Sequence, residues 1–150
     1  MIGNPLSYEY IRGLVDGEGC FTFCPSNRKL VDGTIIVSKI PTFVISMHER
    51  DQELLKLIRN TLELKNRVYN YKSSMRDGHK RGRKAVLIVR EIGSLKNVIV
   101  PLFYKRLRGY KGLQFENWIR NIELDPFVPV VYKIISYNYK SGFYDRNPEY

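Results

Sequence analysis

The chain has 150 residues, 43% of them hydrophobic, and a formal net charge of +10. That length suits one domain with a substantial core and excludes two independent ones, and the hydrophobic fraction excludes an unfolded chain. No apolar run approaches the ~20 residues of a membrane span, and Met1-Ile2-Gly3-Asn4-Pro5 is not the start of a secretory signal. The expected location is therefore intracellular, an organelle matrix or stroma or a prokaryotic cytoplasm. The charge excess points to a polyanionic partner, nucleic acid ahead of a membrane surface, because no basic amphipathic helix stands out. Cys20 and Cys24, with only His48 and His79 as further soft ligands, make a poor zinc signal and no disulfide scaffold. They read as thiols in a reducing compartment.

Ser7 caps a helix predicted from Tyr8 to Gly17, with Glu9 in its first turn, where the helix dipole favours an acid. Gly17-Glu18-Gly19 ends it. Phe21 and Phe23 alternate with Thr22 and Cys24 as a strand, Asp32-Gly33 turns the chain, and residues 34–47 form a second strand. Pro41 there implies a bulge or an edge position. Asp51 opens a second helix with Leu54, Leu55, Leu57, Ile58 and Leu62 as its apolar stripe. Residues 66–72 read as a third strand, 73–84 as a basic loop and 85–90 as a fourth strand. A helix over 93–104 is shortened or kinked by Pro101, and another runs over 114–124. The expected fold is α+β, αββαββα, with helices packed on one face of a twisted four-stranded antiparallel sheet. Residues 1–125 form the domain, and 126–150 a Tyr-rich extension packed on or near it.

The segment with the most chemical content is Ile11-Arg12-Gly13-Leu14-Val15-Asp16-Gly17-Glu18-Gly19. Gly13 and Gly17 share a helix face, with Tyr10 and Leu14 on the same side. Each glycine costs about 1 kcal/mol in a helix interior, a cost that close approach of another backbone would offset. Asp16 and Glu18 sit where helix-end carbonyls already carry partial negative charge, an arrangement that suits a bound hard cation. The plainer reading is two solvated acids in a turn.

This stretch, followed by Phe21-Thr22-Phe23, resembles the LAGLIDADG motif of the homing endonucleases. Phe43-Val44-Ile45-Ser46 leading to Asp51, Leu54 and Leu55 is similar to the family's second strand and helix, and Pro101-Leu102, Lys111, Gln114 and Trp118 to its C-terminal block. The resemblance implies that the motif helix packs against a second copy through Tyr10, Gly13, Leu14, Asp16 and Gly17. It implies that Glu18 binds a catalytic metal with help from the Gly17 carbonyl, and that Asp16 supports the helix ends. Lys111 acts on the scissile phosphate or its waters, and Gln114 is a supporting candidate. The metal is Mg²⁺; Mn²⁺ or Ca²⁺ would substitute in binding, and Ca²⁺ would not support cutting. Arg12 replaces a small residue and is expected to face away from the helix pair. Met47 stands where a polar Gln is frequent, leaving Ser46 or His48 to order water.

With one motif per chain, the resemblance implies a homodimer and a long near-palindromic duplex target, cut by metal-assisted hydrolysis to leave short 3′ overhangs. A strand rises ~3.3 Å per residue, close to the ~3.4 Å per base pair, so the sheet can track the major groove. With Phe21, Phe23, Phe43 and Ile45 inward, Thr22, Cys24, Ser26 and Arg28 face DNA, as do Ser38, Thr42 and Ser46, and Tyr69 and Tyr71 opposite Val68. Lys29, Lys39 and Lys72 on or beside these strands are expected to contact DNA as well. The basic run with Arg76, His79, Lys80, Arg81, Arg83 and Lys84 wraps phosphates, and Lys105, Arg106 and Arg108 near Lys111 do the same. Two further functions suit the same fold: an RNA maturase that binds intron RNA, and a DNA-binding regulator without catalysis.

Overall fold

In a computed structural model of the chain, residues 5–72 and 82–148 are described. Helix α1 spans Tyr8–Glu18, and the Ser7 hydroxyl caps it by accepting from the Tyr10 amide at 3.1 Å. The chain passes directly from α1 into strand β1, Gly19–Lys29. Gly19 is extended (φ −83°, ψ 164°), so the helix ends without a left-handed glycine. Leu30–Thr34 turns the chain, with Gly33 at φ 91° and Asp32 accepting from the Thr34 amide. Strand β2 (Ile35–His48), helix α2 (Gln52–Thr61) and strands β3 (Val68–Tyr71) and β4 (Lys84–Val89) follow. The sheet order is β1-β2-β4-β3, antiparallel throughout, with the helices packed on one face, as the sequence predicts.

β4 pairs only with the last part of β2, from Phe43 to His48. Residues 35–42 of β2 therefore have β1 on one side alone, and the two strands project as a ribbon. The Lys39 amide points away from β1 and donates to the Phe127 carbonyl at 2.9 Å. By the period of the strand, the position of the missing Pro41 donor faces the same free edge, which is why a proline is tolerated there. Pro25 lies opposite Lys39 in the register, so its missing donor faces the outer edge of β1.

The core lies under the sheet face that carries Phe21, Phe43, Ile45, Leu87 and Val89. Phe21 is its hub, with ring centroids 4.9 Å from Phe115, 5.3 Å from Phe43, 5.4 Å from Trp118 and 5.8 Å from Phe103. Between residues 92 and 103 the helical path is uneven: α3 (Ile92–Ser94), a π turn (Leu95–Ile99) and α4 (Val100–Phe103). The proline ring at 101 clashes with the carbonyl four residues earlier, and the wider π turn before it gives that carbonyl room. Pro101 thus reshapes the helix without ending it.

Helix α5 (Tyr110–Leu124) begins four residues before the predicted start, and its ends are held from outside. At its N-terminus the Asp16 carboxylate accepts from the Arg108 and Gly109 amides at 3.1 Å. At its C-terminus the Lys133 ammonium donates to the carbonyls of Ile122, Glu123 and Asp125 at 2.9–3.1 Å. Lys133 opens α6 (Lys133–Ser141), which packs along α5 and donates from the Ser136 hydroxyl to the Ile119 carbonyl at 2.7 Å. Short helix α7 (Phe143–Arg146) follows, with Tyr144 in the core. Among the described residues no helix is long and apolar enough to cross a membrane.

Asp16→Ala removes an N-terminal cap and should lower stability by about 1 kcal/mol. Lys133→Ala strips three carbonyls of a charged donor and should cost about 2 kcal/mol; urea denaturation measures both. Burial pushes the Tyr139 and Tyr144 phenols from 10.0 up to about 12. Their folded forms hold the proton more tightly than the unfolded chain does, so their contribution is intact below pH 10 and lost as pH rises toward 12. Denaturation midpoints should fall across that window.

Candidate active site

The site grows from the α1–β1 junction. A Cβ on Gly19 would lie 2.6 Å from Val15 Cγ1 and 3.0 Å from the Val15 carbonyl oxygen, so only glycine lets the strand start beneath the last helical turn. Gly13 and Gly17 differ: a Cβ on either meets nothing within 4 Å. Packing among the described residues of the chain gives no reason for two helix-weakening glycines. They lie on the open side of α1 with Tyr10, which is 48% exposed, and half-buried Leu14. The opposite side buries Ile11, Arg12 and Val15. Arg12 reaches inward, its Nε donating to the Leu102 carbonyl at 2.8 Å and its Nη1 to Glu9 at 2.6 Å.

Glu18 ends α1 with its side chain exposed, in an open hollow of about 580 Å³ shared with Ser46, Met47, His48, Gly82, Arg83 and Lys84. Ser46 and His48 face outward from β2, opposite Val86 and Lys84 of β4, whereas Met47 also packs against the core. His48 Nδ1 accepts from the Arg50 amide at 3.1 Å, which leaves Nε2 as the N–H in the neutral ring. Gly82 lies so close to that ring that any side chain there would displace it. Arg83 is held on the β3 side, donating to the Asn70 side chain at 2.5 Å and to its carbonyl at 3.2 Å. The hollow thus holds one carboxylate among basic side chains.

Asp16 is occupied inside the protomer as the cap of α5. The sequence expectation placed it at the ends of the paired motif helices; in the structure its carboxylate serves the start of α5 in its own chain. Asp16 stands two residues before Glu18 and binds the backbone two residues before Lys111, so one carboxylate ties the start of α5 to the end of α1. Gln114 accepts from the Phe21 amide at 3.0 Å and Trp118 Nε1 donates to the Thr22 carbonyl at 2.8 Å, which docks α5 on the beginning of β1. Among the described residues no group of three or more His, Cys, Asp or Glu could hold a metal ion. The oxygen ligands this part of the chain offers are the Glu18 carboxylate and the last α1 carbonyls, the ligand type hard cations take.

Thr22, Cys24, Ser26 and Arg28 lie on the open face of β1, as do Ser38 and Ser46 on β2, and Tyr69 and Tyr71 on β3. Lys72 follows β3 directly, and Arg106 and Arg108 are exposed between α4 and α5. Four of the expected DNA-contact residues sit differently from these. Thr42 has the right parity but is fully buried, and its hydroxyl donates to the Ile40 carbonyl at 2.8 Å. Lys39 has the parity of Phe43, so it points to the helix side, where it pairs with Asp125 at 2.9 Å and lies over the Phe127 ring. Hydrogen bonding to Lys39, with help from the Phe127 amide, holds the Asp125 carboxyl below its usual range. Lys29 shares the parity of Phe21 and Phe23, opposite to that of Arg28. Lys105, at φ 56°, turns over the Tyr104 ring and toward Asp145, 3.6 Å away. Its pKa is raised by the hydrogen bond to Tyr104 and by Asp145. Arg76, His79, Lys80 and Arg81 lie outside the described residues.

The open face also carries Ile36, Ile40 and Val44, aliphatics that side-chain type alone would assign to the core. Their signal was the alternation itself: with Phe43 and Ile45 inward, Val44 and Ile40 must face out.

A family model described as LAGLIDADG endonuclease matches residues 11–122. The homing endonuclease I-TnaI is similar in structure at TM-score 0.60 and 24% identity, over 95% of this chain and 94% of its own. I-LtrWI, solved bound to target DNA, is similar at TM-score 0.61 and 24% identity, over 90% of this chain and 43% of its own. I-CpaMI, solved bound to uncleaved DNA, gives TM-score 0.61 at 16% identity, over 97% and 44%. The chain thus spans nearly the whole of I-TnaI and under half of the other two. No curated protein matches its sequence. The motif helix, the sheet order and the family match over most of the chain agree: the protein belongs to the LAGLIDADG endonuclease family.

Proposed function

We propose that the chain is a site-specific double-strand DNA endonuclease that works as a homodimer on a long, near-palindromic target. The carrying observation is Glu18: an exposed carboxylate at the end of a helix whose outer face has two glycines that its own protomer does not require. Close packing of two such helices sets two Glu18 side chains side by side, and their repulsion favours cation binding. Glu18 and the last α1 carbonyls would hold Mg²⁺, which would supply an activated water for in-line attack and charge stabilisation at the leaving 3′ oxygen; the expected products carry short 3′ overhangs. Mn²⁺ substitutes, and Ca²⁺ supports binding without cutting. Glu18 orients the cation; Lys111, placed by the Asp16 tie, draws electron density from the scissile phosphate. The Ser46 hydroxyl and the His48 Nε2–H are two neutral polar groups of the hollow suited to hold water, the task Met47 cannot perform.

A second reading, intron RNA binding as a maturase, draws on Tyr69 and Tyr71. Their rings stack 5.8 Å apart on the open sheet face, and both are about half exposed. Exposed aromatics on a sheet can stack unpaired bases.

Glu18→Gln should abolish cleavage of duplex DNA in Mg²⁺ while changing affinity less than about tenfold, within 1.4 kcal/mol. A fully active variant refutes the metal role. Wild type that cuts no duplex from a random library yet binds structured intron RNA tightly favours the maturase. Light scattering on the DNA complex should give two chains per duplex. Gly13→Leu should leave the isolated chain folded and about 1 kcal/mol more stable through helix propensity, yet unable to pair or to cut both strands.

A further inference from the structure

The open face of the β1–β2 ribbon alternates between two kinds of cross-strand pair. Thr22 lies opposite Thr42 and Ser26 opposite Ser38, and these hydroxyl rows are separated by rows in which Cys20 faces Val44, Cys24 faces Ile40 and Arg28 faces Ile36. β2 therefore sets a branched aliphatic at every fourth residue on a face that none of the described helices covers. Ile36 is 37% exposed, and Ile40 and Val44 are half-buried. Thr42, between the last two, is fully buried with its hydroxyl spent on the Ile40 carbonyl, so the aliphatics flank a position that offers bases nothing.

A protein partner would favour a broad apolar patch; here Val44 has Ile88 of β4 beside it, but Ile40 and Ile36 extend from it in single file along a ribbon whose other strand carries Thr22, Ser26 and Arg28. The surroundings suit a polyanion, with Arg28 beside Ile36, Lys84 and Arg83 beyond the inner end of the ribbon, and a net charge of +10. The apolar group that base pairs present in the major groove is the C5-methyl of thymine. Four residues of strand cover about 13 Å, the rise of about four base pairs.

We propose that Val44, Ile40 and Ile36 read thymine methyl groups, so that each half-site carries thymine at intervals of about four base pairs. This specificity rests on the endonuclease reading above. The Thr22, Ser26 and Ser38 hydroxyls between them adapt to several bases, so the tolerated positions of the target fall between the thymines.

The test is selection of the tightest duplexes from a random library with the intact protein in Ca²⁺, followed by replacement of each selected thymine with uracil, which removes the methyl alone. Uracil at the three spaced positions should weaken binding about fourfold each, the effect of one buried carbon group, and elsewhere should have no effect. Ile40→Ser should abolish the uracil effect at its own position and leave the other two intact. If the selected duplex is defined and cut in Mg²⁺ but tolerates uracil throughout, methyl reading is wrong and the endonuclease reading stands. If no defined duplex emerges, both fall.

Discussion

The structure depends on the passage from α1 into β1 with no loop between them. Helix and strand can meet this way only where the first strand residue leaves room for the last helical turn, and Gly19 does so against Val15. Every neighbouring feature inherits its position from that contact. Glu18 is the last helical residue and stands at the seam, directed toward the hollow. Phe21 follows two residues into the strand and drops into the core among four aromatic rings. A side chain at position 19 would separate strand from helix and displace the acid and the hub together.

The second organising element is α5, whose ends are finished by side chains from elsewhere in the chain. Asp16 reaches it from the motif helix and Lys133 from the C-terminal extension. Lys111 gains a set place relative to Glu18 without touching it, because both stand within two residues of the same carboxylate-to-amide contact. Gln114 and Trp118 then bind the beginning of β1. Gln114, through its bond to the Phe21 amide, holds the strand that follows Glu18. The extension is likewise part of the domain's wiring, since Lys133 closes the far end of the helix that carries Lys111.

Much of this was legible in the sequence because it is local. Ser7 capping, the alternation of Phe21 and Phe23 and the Asp32-Gly33 turn each act over a few residues. The features that escaped depend on distant partners. The true start of α5 is set by Asp16, 93 residues away in sequence from Gly109. Pro101 is absorbed by a π turn, a backbone adjustment with no residue signature. Lys39 was misplaced because charge was given more weight than parity: its strand position points to Asp125 whatever its sign. The opposite bias hid Ile36, Ile40 and Val44, because aliphatic side chains read as core even where the alternation turns them outward. Thr42 shows the limit of parity, since a residue on the right face can still be covered by its neighbours.

The two prolines of the ribbon carry a consequence for the protein away from its target. A two-stranded arm of β-branched and hydroxyl residues with unpaired edges is a ready template for adding further strands, the route to fibrils and amorphous aggregates. Pro25 blanks one donor on the outer edge of β1, and Pro41 blanks one on the free edge of β2, where the Phe127 carbonyl has already taken the Lys39 amide. Neither edge offers an incoming strand an unbroken ladder. An arm long enough to follow a groove can therefore wait in solution without sticking to its own kind.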